Sequence, residues 1–186
     1  QGNGASSPVV GTIRVMEGVV TADYQNTPVQ YGGFFVQEET ADVDADPLTS
    51  EGVYVFDSTN AVAVGDVVRL QGTVTEFVSG SGTLTEITTV TALTACSSGS
   101  ALPAAASVTL PVASLSVWEQ YEGMLVQLPQ TLSVSEVFTL GRFGEVLLAQ
   151  GGAVYQYTHA NAPSVAGNAA YQAQVVLRTI LLDDAN

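Results

Sequence analysis

Apolar and polar residues alternate over long stretches of this chain, and glycine rather than charge breaks the alternation. The clearest run is 62–74, VAVGDVVRLQGTV. Gly65-Asp66 is a turn pair, and Val67, Val68, Leu70, Thr73 and Val74 supply the β-branched and apolar content of a buried strand. Gly72 interrupts that strand, and a glycine inside a strand pattern marks a bulge or a sharp bend. Residues 13–23, IRVMEGVVTAD, have the same character with Gly18 in the middle. A small sheet needs such bends to close on itself, so two long glycine-broken strands predict a Greek-key barrel of the OB type.

The remaining runs fill in that barrel. Residues 12–24 form the first long strand. Residues 31–37, YGGFFVQ, form a second, with Phe34 and Val36 on one face and Phe35 on the other. An acidic loop covers 38–51 and a short third strand 53–57. The 62–74 strand follows, then a hairpin turn at 79–82, SGSG, and a fifth strand at 83–95. Residues 97–106 are small and alanine-rich, with Pro103 near the centre, and read as a boundary. Beyond it, Ser114 opens a helical spacing of Leu115, Trp118 and Tyr121. Strands are expected at 124–128, 131–138, 145–149, 154–157 and 175–182, and a surface helix at 164–174. The expected fold is all-β. An OB-like five-stranded Greek-key barrel occupies 1–98, and a second β-rich half with one or two short helices, 99–186, packs on it.

Composition agrees with a folded β protein, because 46% of the residues are hydrophobic and valine and threonine are abundant. Charge narrows the function. Eighteen acids stand against four arginines (Arg14, Arg69, Arg142 and Arg178) and no lysine, for a net charge of −14. A basic phosphate-tracking groove cannot be built from this chain alone. An acidic surface of this kind suits a salty medium, where repulsion is screened. Cys96 is the single cysteine, which excludes an internal disulfide, and it is expected as a buried small hydrophobe. No run reaches the length of a membrane-spanning helix, and the start of the chain lacks the pattern of a signal peptide, as expected of a mature, excised or cytosolic chain.

The order of blocks carries a resemblance. GVVTADYQ, GGFFVQEE, the aspartate loop, TSEGVYVF, VGDVVRLQGTVTEF, TLPVASL, YEGMLVQLPQTLSVSE, LGRFGEVLLAQGG and RTILLDD together resemble the OB-fold-like domain of secreted bacterial nucleases. In those nucleases a catalytic domain of the endonuclease/exonuclease/phosphatase superfamily follows in the same chain. The resemblance implies a secreted, non-catalytic module that assists binding or positioning of extracellular DNA. The catalytic domain with its metal-binding acids and histidines has no counterpart here.

Two candidate sites follow from the residues. The loop Asp42-Val43-Asp44-Ala45-Asp46 sets three carboxylates at alternate positions. With Glu51 they form a candidate calcium site, since calcium takes six to eight oxygen ligands. Pro47 and Val53 stand where an EF-hand needs glycine and glutamate, so this is not an EF-hand. The plain alternative is a solvated acidic loop. Nucleic-acid binding needs stacking aromatics beside cations. Tyr31, Phe35 and Tyr54 fall on the strands whose face binds ligands in OB-folds, and Arg69 and Arg142 are the cations near strand centres or turns. Arg142 has Glu145 or Glu136 as its expected partner. His159 is the only histidine, and no nucleophile or phosphate-loop motif occurs, so the chain is expected not to be an enzyme. A second expectation is a secreted structural module, a filament or matrix subunit, that self-associates through β-strand edges.

Overall fold

The computed structural model describes residues 2, 4–26, 30–79 and 82–184. The centre of the expected 79–82 turn lies outside the described residues, as does part of the loop after residue 26. Five strands come first: β1 (Ile13–Tyr24), β2 (Gly33–Gln37), β3 (Gly52–Val55), β4 (Val67–Ser79) and β5 (Gly82–Ser97). They close into a barrel in the order β1-β2-β3-β5-β4. All pairings are antiparallel except β3 with β5, which is parallel. This is the OB-like Greek-key barrel expected from the pattern.

Closure depends on how the long strands are shared. β1 pairs with β4 from Ile13 to Val19 and with β2 from Val19 to Tyr24, so the strand changes partner next to Gly18. β4 and β5 shift register between Gln71 and Thr73, where Gly72 faces residues 89–91 of β5 and Thr89 adopts φ 50°. Gly72 therefore does mark a bulge, but the extra residues sit on β5. A Cβ on Gly72 would lie 2.4 Å from Ile87 Cγ2 and 2.9 Å from the Thr88 carbonyl oxygen, so only glycine lets the strands pass this closely. The core consists of Val20, Phe34, Val36, Val53, Val55, Val68, Leu70, Val74 and Ile87. Phe34 and Val36 are fully buried while Phe35 points out, as alternation requires.

The chain divides into two compact units, 1–106 with 116–127 and 107–115 with 128–186. The sequence reading ended the barrel at 98. In the structure residues 99–106 belong with the barrel, and residues 116–127 return to it. That return is pinned by three hydrogen bonds: Thr85 N–H donates to Glu122 Oε1 (2.7 Å), Ser50 Oγ to the Glu122 carbonyl (2.5 Å), and Leu125 N–H to Gln37 Oε1 (2.8 Å). It contains most of a 3₁₀ helix, Leu115–Tyr121, where the helical spacing was read. Two short strands, β6 (Ala106–Ser107) and β7 (Val126–Gln127), flank the return.

The second unit has β8 (Ser133–Glu136), β9 (Val146–Ala149) and β10 (Thr179–Leu182) in the order β10-β9-β8, with α1 (Leu140–Phe143) and α2 (Val165–Val175). Val108, Leu110, Val112, Ala149 and Val175 are its buried apolar residues. Two expectations change here. The strand expected at 154–157 is irregular chain leading into a 3₁₀ turn at Tyr157–His159. The final strand begins at Thr179 rather than 175, because α2 continues until Val175, its one buried residue, reaches the interior.

Cys96 is exposed on β5, contrary to the expected burial, because it lies on the far end of that strand beyond the barrel core.

Candidate nucleic-acid interface

The register of β1, β2 and β3 gathers aromatic rings on the outer face of the barrel. Phe35 stands opposite Tyr54, and Tyr24 opposite Gly33. Neighbouring side chains on one face of a sheet come within ring-contact range. The rings of Tyr31 and Tyr24 have centroids 5.7 Å apart, those of Tyr24 and Phe35 6.2 Å, and those of Phe35 and Tyr54 5.0 Å. The first two pairs meet edge to face, the arrangement favoured by the ring quadrupoles. The result is a continuous aromatic strip, Tyr31–Tyr24–Phe35–Tyr54.

The four rings are not equally accessible. Tyr31 is 49% exposed, Tyr24 and Phe35 are partly exposed, and Tyr54 is 4% exposed. Tyr54 packs over Gly33, where a Cβ would lie 2.5 Å from its hydroxyl oxygen, and that hydroxyl donates to the Tyr31 carbonyl at 3.0 Å. Burial, with Glu86 nearby, pushes its pKa up to about 12, so it stays a neutral donor. Tyr54 thus supports the strip from beneath and fixes the chain that presents Tyr31.

The three aromatics expected at the interface come together, and Tyr24 joins them. Arg69 does not join them. Arg69 is on β4, with Nη1 3.7 Å from Glu17 Oε2 in an exposed pair. Arg142 is in α1 of the second unit and lies over its own neighbour, 4.7 Å from the Phe143 ring centroid, instead of pairing with Glu145 or Glu136. The charged neighbour of the strip is acidic. Glu86 stands opposite Tyr54 in the parallel pairing, and its pKa is raised, chiefly by burial and further by Glu76.

One positioning residue was not read from the sequence. Gln25, next to Tyr24, donates through Nε2 to the carbonyls of Asp57 (2.7 Å) and Asn60 (2.9 Å), and its Oε1 accepts from Val62 N–H (3.2 Å). Asp57 in turn accepts from Thr59 and Asn60. Burial opposes its ionisation, but these hydrogen bonds outweigh burial and hold its pKa below the usual value. The 57–62 loop is therefore tied to the end of β1 that carries Tyr24. The run Asp57-Ser58-Thr59-Asn60 is rich in turn-forming residues, but nothing local identifies its partner 32 residues away.

The acidic loop is folded mainly by its own side chains. Asp44 Oδ1 accepts from Asp46 N–H at 2.6 Å, and Asp46 Oδ1 accepts from Leu48 N–H at 3.0 Å. Glu51 has a raised pKa, through burial first, then a hydrogen bond with Glu38 and the charge of Asp44. Glu38, Asp44 and Glu51 therefore approach one another, whereas Asp42 and Asp46 are exposed elsewhere on the loop. Among the described residues, no group of three or more His, Cys, Asp or Glu is arranged to hold a metal ion.

Among the described residues, no helix is long and apolar enough to cross a membrane. Compared with family models, with curated proteins and with solved structures, the chain matches none.

Proposed function

We propose that this chain is a non-catalytic OB-like module of a secreted bacterial nuclease that helps to bind and position extracellular DNA, engaging it as a single strand on the aromatic strip. One observation carries the reading: the rings of Tyr31, Tyr24, Phe35 and Tyr54 run continuously across the outer face of β1, β2 and β3. OB-folds bind oligonucleotides on the face of their second and third strands, and bases stack on such rings whatever their sequence. The resemblance in block order supports the nuclease context.

The charges set the mode of contact. With no arginine among the described residues of the barrel's own unit beside the strip and a net charge of −14, the contact is stacking rather than phosphate neutralisation. A single strand, whose bases are free to stack, is preferred to a duplex. Fluorescence anisotropy with labelled single- and double-stranded oligonucleotides at low salt tests this. Single-strand binding that falls by about 1–3 kcal/mol in Phe35→Ala is the expected result. Absence of single-strand binding overturns the reading. Calcium enters it only at the acidic loop of Asp42, Asp44, Asp46 and Glu51, where a cation would offset the clustered negative charge.

A specific observation favours a second reading, self-association. The barrel is closed, but β8 and β10 are the outer strands of the second unit's sheet, and Val134, Leu181 and Leu182 on them are more than half exposed. Outer strands are templates for pairing with another chain. Sedimentation velocity over a range of concentrations decides. Growth of large species that a charged substitution at Val134 abolishes supports strand addition, and a monomer at every concentration removes it.

A further inference from the structure

The aromatic strip of the barrel ends on a carboxyl group. The register of the parallel pair β3 and β5 sets Glu86 opposite Tyr54, which itself stands opposite Phe35. Phe35, Tyr54 and Glu86 therefore occupy one row across β2, β3 and β5. Thr85 and Ile87, on either side of Glu86, are each 4% exposed and turn inward. Alternation carries Glu86 to the outer face, where it is partly exposed. Adjacent strands lie about 4.8 Å apart, so the backbone of Glu86 is about 10 Å from that of Phe35 along this row, with the covered Tyr54 between them.

The barrel's own donors engage this carboxyl only weakly. Thr75 Oγ1 donates to Glu86 Oε1 across 3.4 Å, a long hydrogen bond. The Tyr54 hydroxyl has a single proton and gives it to the Tyr31 carbonyl. Arg14 and Arg69, the arginines of this unit, turn to Thr12 Oγ1 (3.0 Å) and to Glu17. A carboxylate accepts at about four lone-pair sites on its two oxygens and donates nothing. Glu86 thus keeps acceptor capacity at the edge of a surface on which flat rings can stack.

We propose that Glu86 accepts a hydrogen bond from the exocyclic amino group of a base stacked on the strip, and so makes the strip prefer cytosine to thymine. This inference rests on the stacking reading above. Stacking alone tolerates any base, whereas an acceptor at the edge of the stack discriminates among them. In a single strand the Watson–Crick edges are unpaired and open to side chains. Cytosine presents its N4 amine, for which a glutamate carboxylate is a fitting acceptor. Thymine presents O4 at the same place, and its N3–H lies between two carbonyl oxygens that repel a carboxylate. A phosphate beside Glu86 would meet like charge, which turns base edges rather than backbone toward this end of the strip.

Fluorescence anisotropy of the full chain with labelled oligo-dC, oligo-dT and oligo-dU of equal length, at low salt and slightly alkaline pH, tests the assignment. Deoxyuridine replaces the cytosine amine by a carbonyl and lacks the thymine methyl group, so it separates the two differences. The wild type is expected to bind oligo-dC about tenfold more tightly than either of the others, equivalent to about 1.4 kcal/mol. Glu86→Ala should abolish that difference. Glu86→Gln, which keeps the side-chain shape and whose amide both donates and accepts, should also bind the three alike. Phe35→Ala should weaken all three by a similar factor and keep their ratio. Circular dichroism checks that each variant is folded. Equal binding of the three oligomers by the wild type overturns the proposal and leaves the stacking reading standing. A preference for thymine, or a cytosine preference that survives both Glu86 variants, overturns it as well. Absence of binding to all three overturns it together with the stacking reading.

Discussion

Tyr54 and Phe35 face the same side of the barrel but serve it differently. Phe35 offers ring surface, whereas Tyr54 is covered and spends its hydroxyl on the Tyr31 carbonyl. Alternation along 31–37 was enough to place Phe35 outside and Phe34 inside, because period two is a local property. It could not show that Tyr54 is buried or that Tyr24 completes the strip, since both facts depend on the register of three strands. The acidic loop was legible in the same partial way. Its aspartates stood out, but the loop turns two of them onto its own amides, and Glu51 is acted on by Glu38 and Asp44. If a cation binds there, millimolar calcium should raise Tm by about 2–4 °C, in line with about 1 kcal/mol for a weak site in a chain of this size. Glu51→Gln should abolish the rise. A Tm that ignores calcium in the wild type removes the ion from the account.

At the scale of elements, the long strands were the most legible parts. β1 and β4 begin within a few residues of where β-branched content and glycine placed them, and Gly72 was correctly read as a bulge. The side of the bulge was not legible, because the extra residues of β5 are visible only once the two strands are aligned. Gly72→Ala drives a methyl group into Ile87 Cγ2 and toward the Thr88 carbonyl. Overpacking of this kind costs about 1–3 kcal/mol. Urea denaturation should show that loss as a lower midpoint with an unchanged slope. A variant as stable as the wild type would mean that the strands do not pass this closely. The short elements of the second unit were less legible. Val154, Tyr155 and Tyr157 look like a strand by composition, yet hydrogen bonds from Tyr171 and Asn161 hold them in an irregular segment.

The whole molecule is dominated by its charge, which bears on stability as well as ligand choice. Glu51, Glu86 and Glu122 all have raised pKa values, with burial the largest cause in each. A carboxyl whose native pKa is raised favours the native state when protonated. Its contribution is full below the ordinary value of 4.5 and is lost as pH rises through the raised native value. Asp57 acts in the opposite sense: its pKa is lowered, so its contribution is full above 3.8 and is lost as pH falls through the native value. Thermal melts between about pH 3 and pH 8 should therefore give a maximum Tm in the acidic range near pH 4, declining toward neutrality. Maximum stability at neutral pH would contradict the burial of these carboxyls. The barrel was legible at this scale because closure follows from a few long bent strands. The return of residues 116–127 to the barrel was not, because three hydrogen bonds formed far apart in sequence decide it.

The central claim is that the outer face of β1–β3 holds single-stranded DNA by stacking, without cations. The most direct measurement is an anisotropy titration of a single-stranded oligonucleotide at several salt concentrations, for the wild type, Tyr31→Ala and Phe35→Ala. The account predicts binding that each substitution weakens by about 1–3 kcal/mol. It also predicts a log–log salt slope near zero, far from the roughly −0.7 per neutralised phosphate of a charge-driven contact. Full-strength binding by both variants, or a steep salt slope that follows the arginines, would contradict it.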